Sequence, residues 1–227
     1  MDARLTGATD LAGFRADAVQ LLSQQVPPED VHWVIAAGSE DRFCDPASPS
    51  ASRPRNVARA ATAIIPASFT RLCEFVALHR DPERYGLLYR LLWRLVHEPG
   101  LRNDPVDTDM LQAQHMAHAV RRDIHKMKAN LRLRQVHDAQ GREWQLGCYE
   151  PAHHVLETVG TWLAKRLPAS HWALFTPCRS VRCEDGQLLF GPGVAMAQIP
   201  PFDAPAQAWL DCYERVFAPH DRPAAHA

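Results

Sequence analysis

The hydrophobic pattern of this chain changes period near residue 130, and that change limits what it can fold into. Before it, apolar residues recur at helical spacing. Leu11, Phe14, Ala18, Leu21 and Leu22 predict a helix over 10–25, with Asp10 as N-cap and Val26-Pro27-Pro28 as its stop. Phe69, Leu72, Cys73 and Val76 predict a second, and Leu88, Leu91, Leu92 and Leu95 a third. Asp81-Pro82 between them reads as a cap followed by a first-turn proline, and the two helices as a helical hairpin. Asp107 or Asp109 opens a long helix to about residue 129, with Ala117, Val120, Ile124 and Met127 on its apolar side. Val31 to Ala36 is the one short strand expected in this half.

After residue 130 the pattern alternates. Leu131–Arg134 and Trp144–Cys148 flank Asp138-Ala139-Gln140-Gly141, and Val181–Cys183 and Leu188–Phe190 flank Asp185-Gly186. Both are hairpin signals. A helix over 153–167, a strand at His171–Thr176 and a final helix at Ala206–Phe217 complete the pattern. The fold class is therefore α+β. An N-terminal helical portion, with a helical hairpin and a long basic helix, precedes a small, mostly antiparallel sheet with flanking helices.

At 227 residues the chain reads as a single domain, 1–227, with a Pro/Ser-rich exposed loop at 44–56 and a disordered tail at 219–227. It carries 25 basic and 26 acidic side chains, a formal net charge of -1, so any polyanion site must be a local patch. No apolar run approaches the roughly 18 residues of a membrane span, and the charged first thirty residues lack a secretory signal. The expected compartment is the cytoplasm. None of the six cysteines forms a C-x-x-C pair, so they are expected as reduced thiols, with no metal site and no cofactor of the chain's own.

That local patch is conspicuous at residues 121–134. Arg121, Arg122, Lys126, Lys128, Arg132 and Arg134 stand there against one acid, Asp123. On a helical wheel Val120, Ile124 and Met127 face one way, and the basic residues with His125 face the other. Such a surface suits the phosphates of DNA, where each neutralised charge releases counterions. The same run also fits a solvated helix face with local ion pairs. Arg80 and Arg84, one turn apart beside the Tyr85, Tyr89, Trp93 ladder, are further nucleic-acid candidates, although an aromatic stripe at this spacing usually lies in a core.

Acid–base chemistry has its candidates in Asp123, His125, Glu150, His153 and His154, which would have to converge in one pocket. His115, His118 and His125 offer a weaker metal alternative on the long helix. The phosphate-loop, dinucleotide, nucleophile-elbow and zinc-deaminase motifs are absent, and so is the C-x-x-x-C-x-x-C of a radical-type iron–sulfur cluster.

The stretches HRDPERYGLLYRLLWRL (79–95), AVRRDIHKMKANLRLR (119–134), YEPAHH (149–154) and HWALFTPCRSVRCEDGQLLFGPG (171–193) together resemble an uncharacterised bacterial family described as DNA repair or DNA metabolism proteins. The likeness runs through nearly the whole chain, from FRADAVQLLSQQVPPEDVHW to WLDCYERVFAP. Members of that family are said to accompany a radical SAM protein, and some are fused to a uracil-DNA glycosylase-like domain. This chain resembles the stand-alone form. The resemblance implies DNA and a radical SAM protein as partners, with the 121–134 run on phosphates and His125 at the groove or reaction face. Two alternatives stay open: an enzyme that modifies a nucleic-acid base or backbone, and a docking subunit without nucleic-acid contact.

Overall fold

The structure, a computed structural model, describes residues 1–36, 65–98, 100–101 and 104–217. The expected loop at 44–56, the tail at 219–227 and Cys44 lie outside the described residues. The described residues form two compact units: 1–36, 65–98, 100–101, 104–123 and 152–154 make the first, and 124–151 and 155–217 the second.

The first unit is helical around a small parallel pair of strands, β1 (Asp2–Leu5) and β2 (His32–Ile35), in register Asp2↔His32 to Leu5↔Ile35. β1 has no counterpart in the sequence reading. It is four residues long, and only Ala3 and Leu5 turn inward. Helix α1 (Leu11–Ser23) starts where expected, because the Asp10 carboxylate accepts the Gly13 amide at 2.7 Å. It ends at Ser23, before the prolines, and Gln25, just past its C-cap, has a φ of 54°. Helices α2 (Ala67–Val76) and α3 (Arg84–His97) follow.

The first-turn proline expected at 82 is displaced. Asp81 accepts the Glu83 amide in a turn, and α3 opens only at Arg84. Tyr85, Leu88, Tyr89 and Leu91 are fully buried, and Phe14, Trp33, Tyr85 and Tyr89 pack ring against ring. Tyr85 and Tyr89 of the aromatic ladder are therefore core, and Trp93 packs partly buried against it. Helix α4 (Thr108–Asn130) opens on Asp107, whose side chain accepts the Met110 amide at 2.8 Å. Residues 124–130 of α4 count with the second unit.

The second unit is a five-stranded sheet in strict chain order: β3 (Leu133–His137), β4 (Glu143–Cys148), β5 (His171–Phe175), β6 (Arg179–Glu184) and β7 (Gln187–Pro192). Only β4 and β5 run parallel, joined through helix α5 (Leu156–Arg166). Gly160 of α5 meets Val181 and Trp172 on one sheet face. Trp209 and Phe217 of α6 (Ala206–Phe217) join Trp144, Ala173 and Phe175 on the other. Covered on both faces, β5 is buried almost throughout and reads as a continuous apolar run. Asp185 and Gly186 both have positive φ, which is what a tight two-residue hairpin requires. None of the described helices is long and apolar enough to cross a membrane. The five described cysteines are free thiols.

Candidate functional site

The apolar side of α4 is as the wheel places it: Val120, Ile124 and Met127 are buried. Opposite them Arg122, His125 and Lys126 are exposed, as is Arg132 just before β3. In the first unit the Arg121 guanidinium lies 4.2 Å from the Phe75 ring centre. In the second, Lys128 Nζ lies 5.0 Å from that of Trp162, and Arg134 donates to the Phe202 carbonyl. Among the described residues none of the six basic side chains at 121–134 forms an ion pair. The acid in the run is turned inward: Asp123 is buried and accepts the His153 amide at 2.9 Å. Elsewhere arginines are paired, Arg90 and Arg94 with Asp109 and Asp107, and Arg142 with Asp138. The local ion pairs of the solvated-face reading are thus absent from the described part of this run.

Arg84, expected on phosphate, is a correction. It is 1% exposed, and its guanidinium donates to the carbonyls of Ala77 at 3.0 Å, Asp81 at 2.8 Å and Ala8. Three backbone acceptors hold it inside, so it has no reach to a phosphate in solvent. Arg80 is exposed.

The acid–base candidates divide between the units. Asp123, His153 and His154 belong to the first, whereas His125 and Glu150 belong to the second. In the first unit a residue unnoticed in the sequence joins them. His79, at the turn after α2, lies with its ring centroid 4.4 Å from that of His153, the planes 33° apart. The Arg80 amide donates to His153 Nδ1 at 3.2 Å, the Asp81 amide to His79 Nδ1 at 3.1 Å, and the His154 amide to the Leu78 carbonyl at 2.9 Å. Thr108, Gln112, His115 and Ala119 recur along one side of α4 and, with His79, line a shallow groove of about 530 Å3. Asp123 continues that side one turn further on.

Burial lowers the pKa of all three histidines. For His79, His153 and Arg84 add to it while Asp81 opposes. For His153, Asp123 opposes and Arg80 adds. His154 is pushed down to about 4 by burial, then by Arg84, Arg80, His153 and His79. The rings are therefore neutral at neutral pH. Asp123 meets the backbone N–H of His153 and not its imidazole, so the pair is not the carboxylate–imidazole relay of an acid–base site. Among the described residues no three His, Cys, Asp or Glu side chains are placed to hold a metal ion, which removes the alternative at His115, His118 and His125.

His79 escaped notice because it stands 74 positions from its partner and beside the more prominent Arg80-Asp81-Pro82. The one local hint is a histidine placed directly after a helix, where side chains meet backbone amides.

No curated protein and no solved structure matches the chain. One family model does, over residues 82–220, which takes in all of α3 and α4, the five-stranded sheet and the helices that flank it. The match spans more than half of the 227 residues and covers the basic run and the loop that carries His153, and on it the chain belongs to an uncharacterised family, that of the domain of unknown function DUF4130.

Proposed function

We propose that this protein is a cytoplasmic DNA-binding protein of DNA repair or DNA metabolism, which contacts phosphates through Arg121, Arg122, Lys126, Lys128, Arg132 and Arg134 and works beside a radical SAM protein. One observation carries the DNA contact: six basic side chains within fourteen residues, none ion-paired among the described residues, with their one acidic neighbour buried on a backbone amide. Side chains that serve only solubility gain by pairing with neighbouring carboxylates. A run kept clear of them retains its charge for an outside anion. The radical SAM partner and the compartment rest on the family resemblance and on the sequence, and co-purification with a radical SAM protein tests the partnership.

The DNA contact is tested by fluorescence anisotropy with labelled single- and double-stranded DNA across a salt series. Six phosphate contacts on duplex predict a slope of log K against log salt of about -5. Arg121→Ala with Lys126→Ala should reduce that slope by about 2 and weaken all sequences alike. A flat slope, or no binding at low salt, overturns the proposal.

A further inference from the structure

Helix α5 buries Leu156, Val159, Gly160 and Leu163 along one side. Trp162 stands at the edge of that stripe and is only half-buried, whereas Trp144, Trp172 and Trp209 are fully buried. Two cations converge on its ring from different helices. Lys128 Nζ, near the end of α4, lies 5.0 Å from the ring centre, and the Arg166 guanidinium, one turn on in α5, lies 6.0 Å from it. All three residues belong to the second unit.

Among the described residues neither cation forms an ion pair, nor does the exposed Lys165 that precedes Arg166. Glu157, the one acid of α5, pairs with Arg179. Cations in a last turn also suit the helix dipole, but that role needs no indole and no lysine from another helix. At 6.0 Å the Arg166 contact sits at the outer limit of a cation–π interaction, so the guanidinium leaves the ring at little cost. A half-buried aromatic ring flanked by two such cations suits a strand whose bases are unstacked: the ring stacks a base, and the cations meet the phosphates beside it. In a duplex the bases stack on one another and present no face to a side chain, so the arrangement selects a single strand.

We propose that Trp162 stacks an unpaired base of single-stranded DNA, with Lys128 and Arg166 on the neighbouring phosphates. This rests on the DNA contact proposed above and gives it a strand preference. Trp162 and Arg166 lie outside the basic run, so the two can fail separately.

The test is anisotropy at low salt with labelled oligothymidylate and with a tetrahydrofuran abasic strand of equal length, which keeps the phosphates and lacks the bases. The parent protein should hold oligothymidylate about fivefold or more tighter than the abasic strand. Trp162→Leu should remove that advantage, with the abasic strand held within about twofold of the parent and the salt slope unchanged, because stacking releases no counterions. Arg166→Ala should instead reduce the slope on a single strand by about 0.7. Irradiating the parent bound to a strand that carries bromodeoxyuridine should crosslink Trp162, read by mass spectrometry, and that result needs no variant to fold. Equal affinity of the parent for both strands, a Trp162→Leu variant that keeps its affinity for oligothymidylate or loses equally on both strands, or crosslinks only at other residues overturns the stacking site and leaves the DNA contact standing. No binding of any strand by the parent overturns both.

Discussion

Arg84 ties the distant Ala8 carbonyl to those of Ala77 and Asp81, just before its own helix. Arg84→Met keeps the apolar stem and takes the guanidinium from all three carbonyls, of which that of Ala8 keeps the Tyr85 hydroxyl at 3.0 Å, so it should lower stability by about 3 kcal/mol, read from the urea midpoint. DNA affinity per folded molecule should not change, since the side chain faces inward. His154 makes a pH-dependent contribution with a definite sign. Its folded pKa, about 4, lies below the unfolded value near 6.5, so between the two the unfolded chain binds more protons and stability rises with pH. The contribution is complete above about pH 6.5 and is lost as pH falls through about 4. Urea midpoints across that window should drop less steeply in His154→Gln than in the parent. Two of the three histidines of the cluster, and the carboxylate beside them, were legible from residues alone. Asp123, His153 and His154 stood out as titratable groups in suggestive places. Their partners did not, because which backbone amide faces a ring is set by the fold, and His79 meets His153 only through it.

The elements were read better than the side chains. Both hairpins carry their own turn chemistry, a glycine at positive φ in each, and need little from the rest of the fold. The long helices carry enough periodic residues to outvote any single position. What escaped was short or shared: β1 has four residues and owes its existence to β2, while the start of α3 is set by a turn at Asp81 that competes with the helix. Gly147 in β4 shows an element whose sequence is dictated by its neighbour. A Cβ there would sit 2.6 Å from the Arg132 carbonyl oxygen and 2.9 Å from a Leu133 methyl, so only hydrogen fits. Gly147→Ala should cost about 1–3 kcal/mol and lower the thermal midpoint. Because the crowded backbone belongs to Arg132, the same variant should also perturb DNA binding by displacing that residue, a coupling that anisotropy can read.

On the scale of the whole molecule, two cores carry the fold: helices around Tyr85, Leu88 and Tyr89 in one unit, and a doubly covered sheet around Trp144, Trp172 and Phe175 in the other. With a net charge of -1 there is little mutual repulsion to keep copies apart. Light scattering should show the most self-association at neutral pH and low ionic strength, relieved at about 0.3 M salt as screening shortens the reach of the basic run. The route of the chain has a consequence for synthesis. The first unit takes residues 152–154 from beyond the first hairpin of the sheet, and those residues bring His153 and the His154 amide to their partners. A growing chain that has exposed every helix of this unit still lacks its closing piece. Its histidine pair cannot assemble until β3 and β4 have left the ribosome, so the order of translation makes the second unit begin before the first is finished.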